Sequence, residues 1–136
     1  MPDAGLITIP SPHSVRHTID RLEAAAVAAG LHIFARVDHA AGAQQVEMAL
    51  RPTELIIFGN PRGGTPLMQD RQLAGIDLPV KALAWQDEAG RVWLSYNDAS
   101  WLARRHELTS ASAKAVSAIE AGMASLAAAA TKAGEP

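Results

Sequence analysis

The 136-residue chain contains no cysteine. That excludes disulfides, thiol nucleophiles and thiolate metal sites, and it fits a reducing compartment such as the cytoplasm. Aromatic residues are few: three tryptophans, two phenylalanines and one tyrosine. Excess charge of either sign is also lacking, the formal net charge being -2. Nucleic-acid binders usually cluster Lys and Arg, and the nearest cluster here, Arg104-Arg105-His106, runs straight into Glu107. No nucleic-acid role is expected. No apolar run reaches the ~18 to 20 residues of a membrane span, so no membrane role is expected either. The first residues, Met1-Pro2-Asp3-Ala4-Gly5, do not resemble a signal peptide.

What is present is an ordinary globular composition, 49% apolar and 19% charged, at the length of one domain. A strand is expected over Gly5 to Ile9, stopped by Pro10 and Pro12. Ser11-Pro12 then has the hydroxyl-plus-proline form of a helix start. Val15, Ile19, Leu22 and Ala26 recur at helical spacing, and Gly30 supplies the stop. From Leu31 to Asp38, Ile33, Ala35 and Val37 alternate with His32, Phe34, Arg36 and Asp38, the period of a strand with one apolar face. Gln44 to Leu50 can form a turn or two of helix.

Leu55-Ile56-Ile57-Phe58 is apolar without alternation. Such a short continuous run suits an interior strand covered on both faces. Gly59-Asn60-Pro61-Arg62-Gly63-Gly64 reads as a loop, with a second helix start at Thr65-Pro66. Val80 to Asp87 and Arg91 to Tyr96 read as a hairpin turning on Glu88-Ala89-Gly90. Asp98 caps a short helix. An Ala-rich helix begins at Thr109 or Ser110, carries Val116, Ile119, Met123 and Leu126 on one face, and frays at its end. The tryptophans at 85, 93 and 101 are expected to supply core contacts in the second half.

The order β-α-β-(α)-β-(α)-β-β-α-α predicts a single α+β domain: a mostly antiparallel sheet with helices packed on one face. Residues 1–108 form the domain, and the Ala-rich helix within 109–136 packs on it or extends it.

Four segments carry a resemblance. They are Ala35-Arg36-Val37-Asp38-His39-Ala40-Ala41-Gly42-Ala43, Pro52-Thr53-Glu54-Leu55-Ile56-Ile57-Phe58-Gly59-Asn60-Pro61, Asp77-Leu78-Pro79-Val80-Lys81, and Trp93-Leu94-Ser95-Tyr96-Asn97-Asp98. In this order they resemble the domain of unknown function 302 family, a bacterial and archaeal group, from about Gly5 to about Leu108. The resemblance implies a compact α+β fold like that of the TATA-box-binding protein, without its DNA role, and a homodimer. It implies no activity.

Several polar residues could carry chemistry. Asp38-His39 closes a strand, where functional groups often sit, although neighbouring strand residues point to opposite faces. The glycine-rich stretch from Gly59 to Thr65 could offer backbone N–H groups to an anion, with Arg62 as a counter-charge. It lacks the Lys-Ser or Lys-Thr of a Walker loop, and its plainer role is a tight connection. Lys81 interrupts an apolar strand, where burial could lower its pKa or its stem could simply snorkel toward Asp77, Asp87 or Asp98. His13 and His17 stand four apart, but a third ligand is not evident and no metal site is assigned. No cofactor is implied.

The reading that follows is a homodimeric module binding a small polar or anionic molecule. His39, Asn60, Arg62 and Lys81 are its expected lining, with Asn97 beside them, near the ends of the second and third strands. A purely structural or protein-interaction module built on the Ala-rich helix is the alternative. An enzyme using Asp38, His39 and Lys81 comes third.

Overall fold

A computed structural model describes residues 5–134. Five strands form one sheet in the order β1-β5-β4-β3-β2, with every neighbouring pair antiparallel. They are β1 (Leu6–Ser11), β2 (His32–Asp38), β3 (Thr53–Gly59), β4 (Lys81–Gln86) and β5 (Val92–Asn97). The helices are α1 (Val15–Ala28), α2 (His39–Gln45), α3 (Pro61–Asp70), α4 (Ala99–Arg105) and α5 (Ala113–Thr131). Short 3-10 turns at Gln72–Asp77 and Ser110–Ser112 precede β4 and α5. The main core lies between one face of the sheet and the pair α1 and α5. It joins Ile19, Leu22 and Ala26 to Ile56, Phe58, Ala84, Leu94, Met123 and Leu126. The expected α+β architecture, with its helices on one face, is therefore present.

Several local expectations shift for physical reasons. Pro10 does not end β1 but lies inside it, which the edge position permits because β1 pairs only with β5. Ser14, not Ser11, caps α1, its Oγ accepting the His17 N–H at 3.0 Å. Ser11 instead bonds the Thr18 hydroxyl at 2.7 Å. The segment around Gly42 is helical, because Asp38 caps α2 by accepting the Ala41 N–H at 2.9 Å. Gly30 and Gly90 take the positive φ that their stop and turn require.

A register shift between Ile33 and Ala35 overturns the alternation expected of β2. The irregularity at Phe34 turns the strand over. Ile33 lies opposite Phe58 on the helix side, whereas Ala35 and Val37 lie opposite Ile57 and Leu55 on the other face. Arg36 is thereby brought beneath α1.

Trp85 and Trp93 also depart from expectation. They pair across β4 and β5 on the face away from the helices, ring centroids 6.4 Å apart, and belong neither to the main core nor to the smaller core cluster of Leu67, Ala74, Ala99 and Val116. The Ala-rich helix is an integral part of the core, burying Val116, Met123, Leu126, Ala127 and Ala130. Its expected fraying concerns residues that lie partly outside those described.

Candidate functional site

The chain leaves β3 at Gly59, and Asn60 caps α3 by accepting the Arg62 N–H on its side-chain oxygen at 2.9 Å. Pro61 opens the helix, where its missing N–H leaves no bond unmade. The stretch expected to be a loop is thus the first turn of a helix. Its amides are already used: Gly63 and Gly64 both donate to the Asn60 carbonyl, at 2.8 and 3.2 Å. The anion cradle read from the glycines is not free to receive a ligand.

Helix α3 crosses the end of the sheet and packs beside α5, leaving a cleft of about 460 Å3 between them. Its walls are chiefly apolar, with Phe34 and Leu78 toward the sheet, Met68 on α3, and Ile119 and Met123 on α5. Asn60 and Thr65 supply its polar side chains, and no charged side chain lines it among the described residues. Two glycines shape it. A Cβ on Gly75 would lie 3.1 Å from the Met68 sulfur, so the chain passes close there, whereas a Cβ on Gly122 would meet nothing within 4 Å. Gly122 therefore marks open space on the α5 wall.

The residues expected to line one pocket separate into groups. Asn60 is at the cleft, and Arg62 is exposed in the first turn of α3 beside it. Lys81 and Asn97 lie at the same end of the sheet but outside the cleft lining. The Lys81 backbone N–H donates to the Asn97 side-chain oxygen at 2.9 Å. The Lys81 ammonium reaches the Asp77 carbonyl at 3.4 Å. Burial pushes the Lys81 pKa down, with the Asp77 charge opposing it. His39 is remote: β2 pairs His32 with Gly59 at one end and Asp38 with Glu54 at the other. The six intervening steps, at about 3.3 Å each, set His39 roughly 20 Å from the cleft end. Asp38, His39 and Lys81 therefore do not form one catalytic group.

Sequence reasoning missed a polar cluster beside Lys81. His106 Nε2 lies 2.6 Å from Asp77 Oδ2, its side chain only 6% exposed, and Arg105 donates to both Asp77 oxygens at 3.1 Å. The partners stand nearly thirty positions apart, so no local spacing joins them. The Arg104-Arg105-His106 run was the available signal.

A second hollow, of about 490 Å3, lies at the opposite end of β3 and includes Arg16, Asp38 and Glu54. Behind it Arg36 donates to Glu54, Asp20 and Glu23 at 2.8, 2.8 and 3.3 Å. Those carboxylates, Glu54 first, raise the Arg36 pKa above its ordinary value. Here the polar groups satisfy one another. His13 and His17 have ring centroids 4.8 Å apart, and the described residues hold no cluster of three or more metal-ligating side chains.

Comparison with known proteins gives the geometry a context. The sequence profile described as "Domain of unknown function DUF302" matches residues 7–126. The match thus takes in most of α5, well past the Leu108 limit expected from the four segments. A "Fluoride-specific ion channel FluC 1" from Brucella suis biovar 1 is 53% identical over 120 residues, which are 88% of this chain and 47% of that protein. Its counterpart in Brucella abortus biovar 1 is 53% identical over 120 residues and is covered to 44%. The chain thus spans less than half the length of these relatives. No helix among the described residues is long and apolar enough to cross a membrane. The crystal structure of an uncharacterized conserved DUF302 protein from Bacillus stearothermophilus superposes with a TM-score of 0.79 at 18% identity, covering 91% of this chain and 96% of that one. That likeness shows the shared fold. With the profile covering nearly the whole domain, the chain belongs to the DUF302 family.

Proposed function

We propose that the chain is a homodimeric module in which each copy binds a small amphiphilic molecule. The apolar body would lie in the α3–α5 cleft, and a polar or anionic head would meet Asn60, Thr65 and the exposed Arg62. The observation that carries this reading is the cleft itself: its volume falls in the range usual for small-ligand sites, and its walls are apolar with few polar groups. The uncharged lining moves the anionic part of the reading from the interior to the rim. The cysteine-free composition favours the cytoplasm as the place of work.

Gly122→Leu tests the reading, because it fills the cleft from a position where a Cβ meets nothing. Titration with decanoate and with 1-anilinonaphthalene-8-sulfonate should show saturable binding to the wild type, weakened at least tenfold in the variant. Absence of binding to either probe at millimolar concentration, or equal binding by both proteins, overturns it.

A second reading has its own support. The relatives named as fluoride-specific channels are about twice as long as the matched stretch, and no helix among the described residues of this chain is long and apolar enough to cross a membrane. We infer that this domain serves as a non-membrane companion to such a channel. Co-expressed with the remaining half of the Brucella suis protein, it should co-purify from detergent extracts. Failure to associate, together with unchanged fluoride efflux when the domain is supplied, counts against it.

A further inference from the structure

The sheet has two faces, and the chain covers only one. Val37, Leu55, Ile57, Leu83, Trp85 and Trp93 all point away from α1 and α5, as the strand register requires. None of the six belongs to either core cluster. They adjoin one another across β2, β3, β4 and β5, with Lys81 at one margin and, at the other, Arg91, whose guanidinium lies 4.8 Å over the Trp93 ring, and Asp87, which accepts the Trp93 indole N–H at 2.9 Å. An interior strand with an unbroken apolar run, such as Leu55 to Phe58, is the pattern of a strand covered on both sides. Within one chain that cover is incomplete for Leu55 and Ile57, which remain partly exposed.

We propose that a second copy of this chain covers the open face, sheet against sheet, about a two-fold axis near Leu83. Area supports a copy as the occupant. Five strands at about 4.8 Å spacing and six residues at about 3.4 Å present on the order of 500 Å2 per subunit. Two such faces bury roughly 1,000 Å2, the lower bound of a specific interface, before side-chain relief is counted. Composition supports it too, since an apolar centre of Leu55, Ile57 and Leu83, with a tryptophan pair and charges at its rim, is typical of interfaces. A two-fold operation brings this patch onto itself, so no complementary charge is needed. The proposal deepens the homodimeric part of the functional reading and is independent of the cleft, which opens on the helix side.

The test is sedimentation equilibrium of the wild type and of Leu83→Lys and Val37→Lys, with Lys114→Glu on α5 as a control. The wild type and the control should sediment as dimers, and the two face variants as monomers. To keep the test free of misfolding in a face variant, the wild type is also followed by fluorescence on dilution. As dimers dissociate, the emission of Trp85 and Trp93 should shift to longer wavelength, while Trp101→Phe should leave that shift intact. A monomeric wild type overturns both the face and the homodimer. A dimer that survives both face substitutions overturns the face alone. Binding to the cleft probes that persists in the monomeric variants shows the ligand reading standing independently.

Discussion

Lys81 is the side chain whose energetics are most exposed to test. It is half-buried at the start of β4, its ammonium donating to the Asp77 carbonyl at 3.4 Å, and desolvation lowers its pKa from 10.5 against the opposing Asp77 charge. A lysine with a depressed folded-state pKa binds fewer protons folded than unfolded between that value and 10.5. Its charge therefore costs stability at neutral pH, and the cost is relieved as pH rises through that window. Lys81→Met should melt above the wild type at pH 7, with the gap narrowing toward pH 10.5. Thermal melts across that range check this, and a variant that melts lower at pH 7 would refute it. Other single positions were legible beforehand because their roles are local. Asp98 accepts the N–H groups of Ser100 and Trp101, and Gly90 turns the hairpin with φ of 86°. Asp77 and His106 were not, because their pairing exists only after the chain has folded back on itself.

Among the elements, β2 shows how one irregularity redistributes chemistry. The shift near Phe34 takes Arg36 off the outer face and sets it against Glu54 of β3 and against Asp20 and Glu23 of α1. This ties a strand pair to the helix above it. Glu54 is deeply buried, with its side chain 6% exposed, so its removal leaves the Arg36 guanidinium short of its most buried partner. Glu54→Ala should cost about 3 kcal/mol in urea denaturation, a typical loss when one member of a buried pair is deleted. A loss below about 1 kcal/mol would mean that Asp20 and Glu23 suffice. Helical spacing identified α1 and α5 from sequence because their apolar stripes are spent on the core. It failed for the start of α3, where glycine and proline mask a helix that Asn60 nucleates by capping.

For the molecule as a whole, element order and hydrophobic period were enough to read the α+β class and the one-sided packing of the helices. The candidate site was only partly legible. Asn60 and Arg62 do stand at the cleft, but its apolar walls are drawn from β2, α3 and α5, segments far apart along the chain. His39 was misplaced because strand ends look alike in sequence, whereas antiparallel pairing sends alternate ends to opposite poles. The unalternating run at Leu55 to Phe58 was read as covered on both sides, and a single chain covers only one.

The pairing of β1 with β5 bears on how this protein comes off the ribosome. Leu6 meets Asn97, and Ile7 meets Tyr96, so the first strand made waits for the last. Until Val92 to Asn97 emerges, β1 has no strand to pair with, although α1 can already close on β2, β3 and β4. Sheet completion is therefore deferred until most of the chain is synthesised, and such non-local closure is slow relative to helix formation. Over that interval the nascent chain exposes apolar strands, and protection by the chaperones that attend synthesis is where this topology makes its demand.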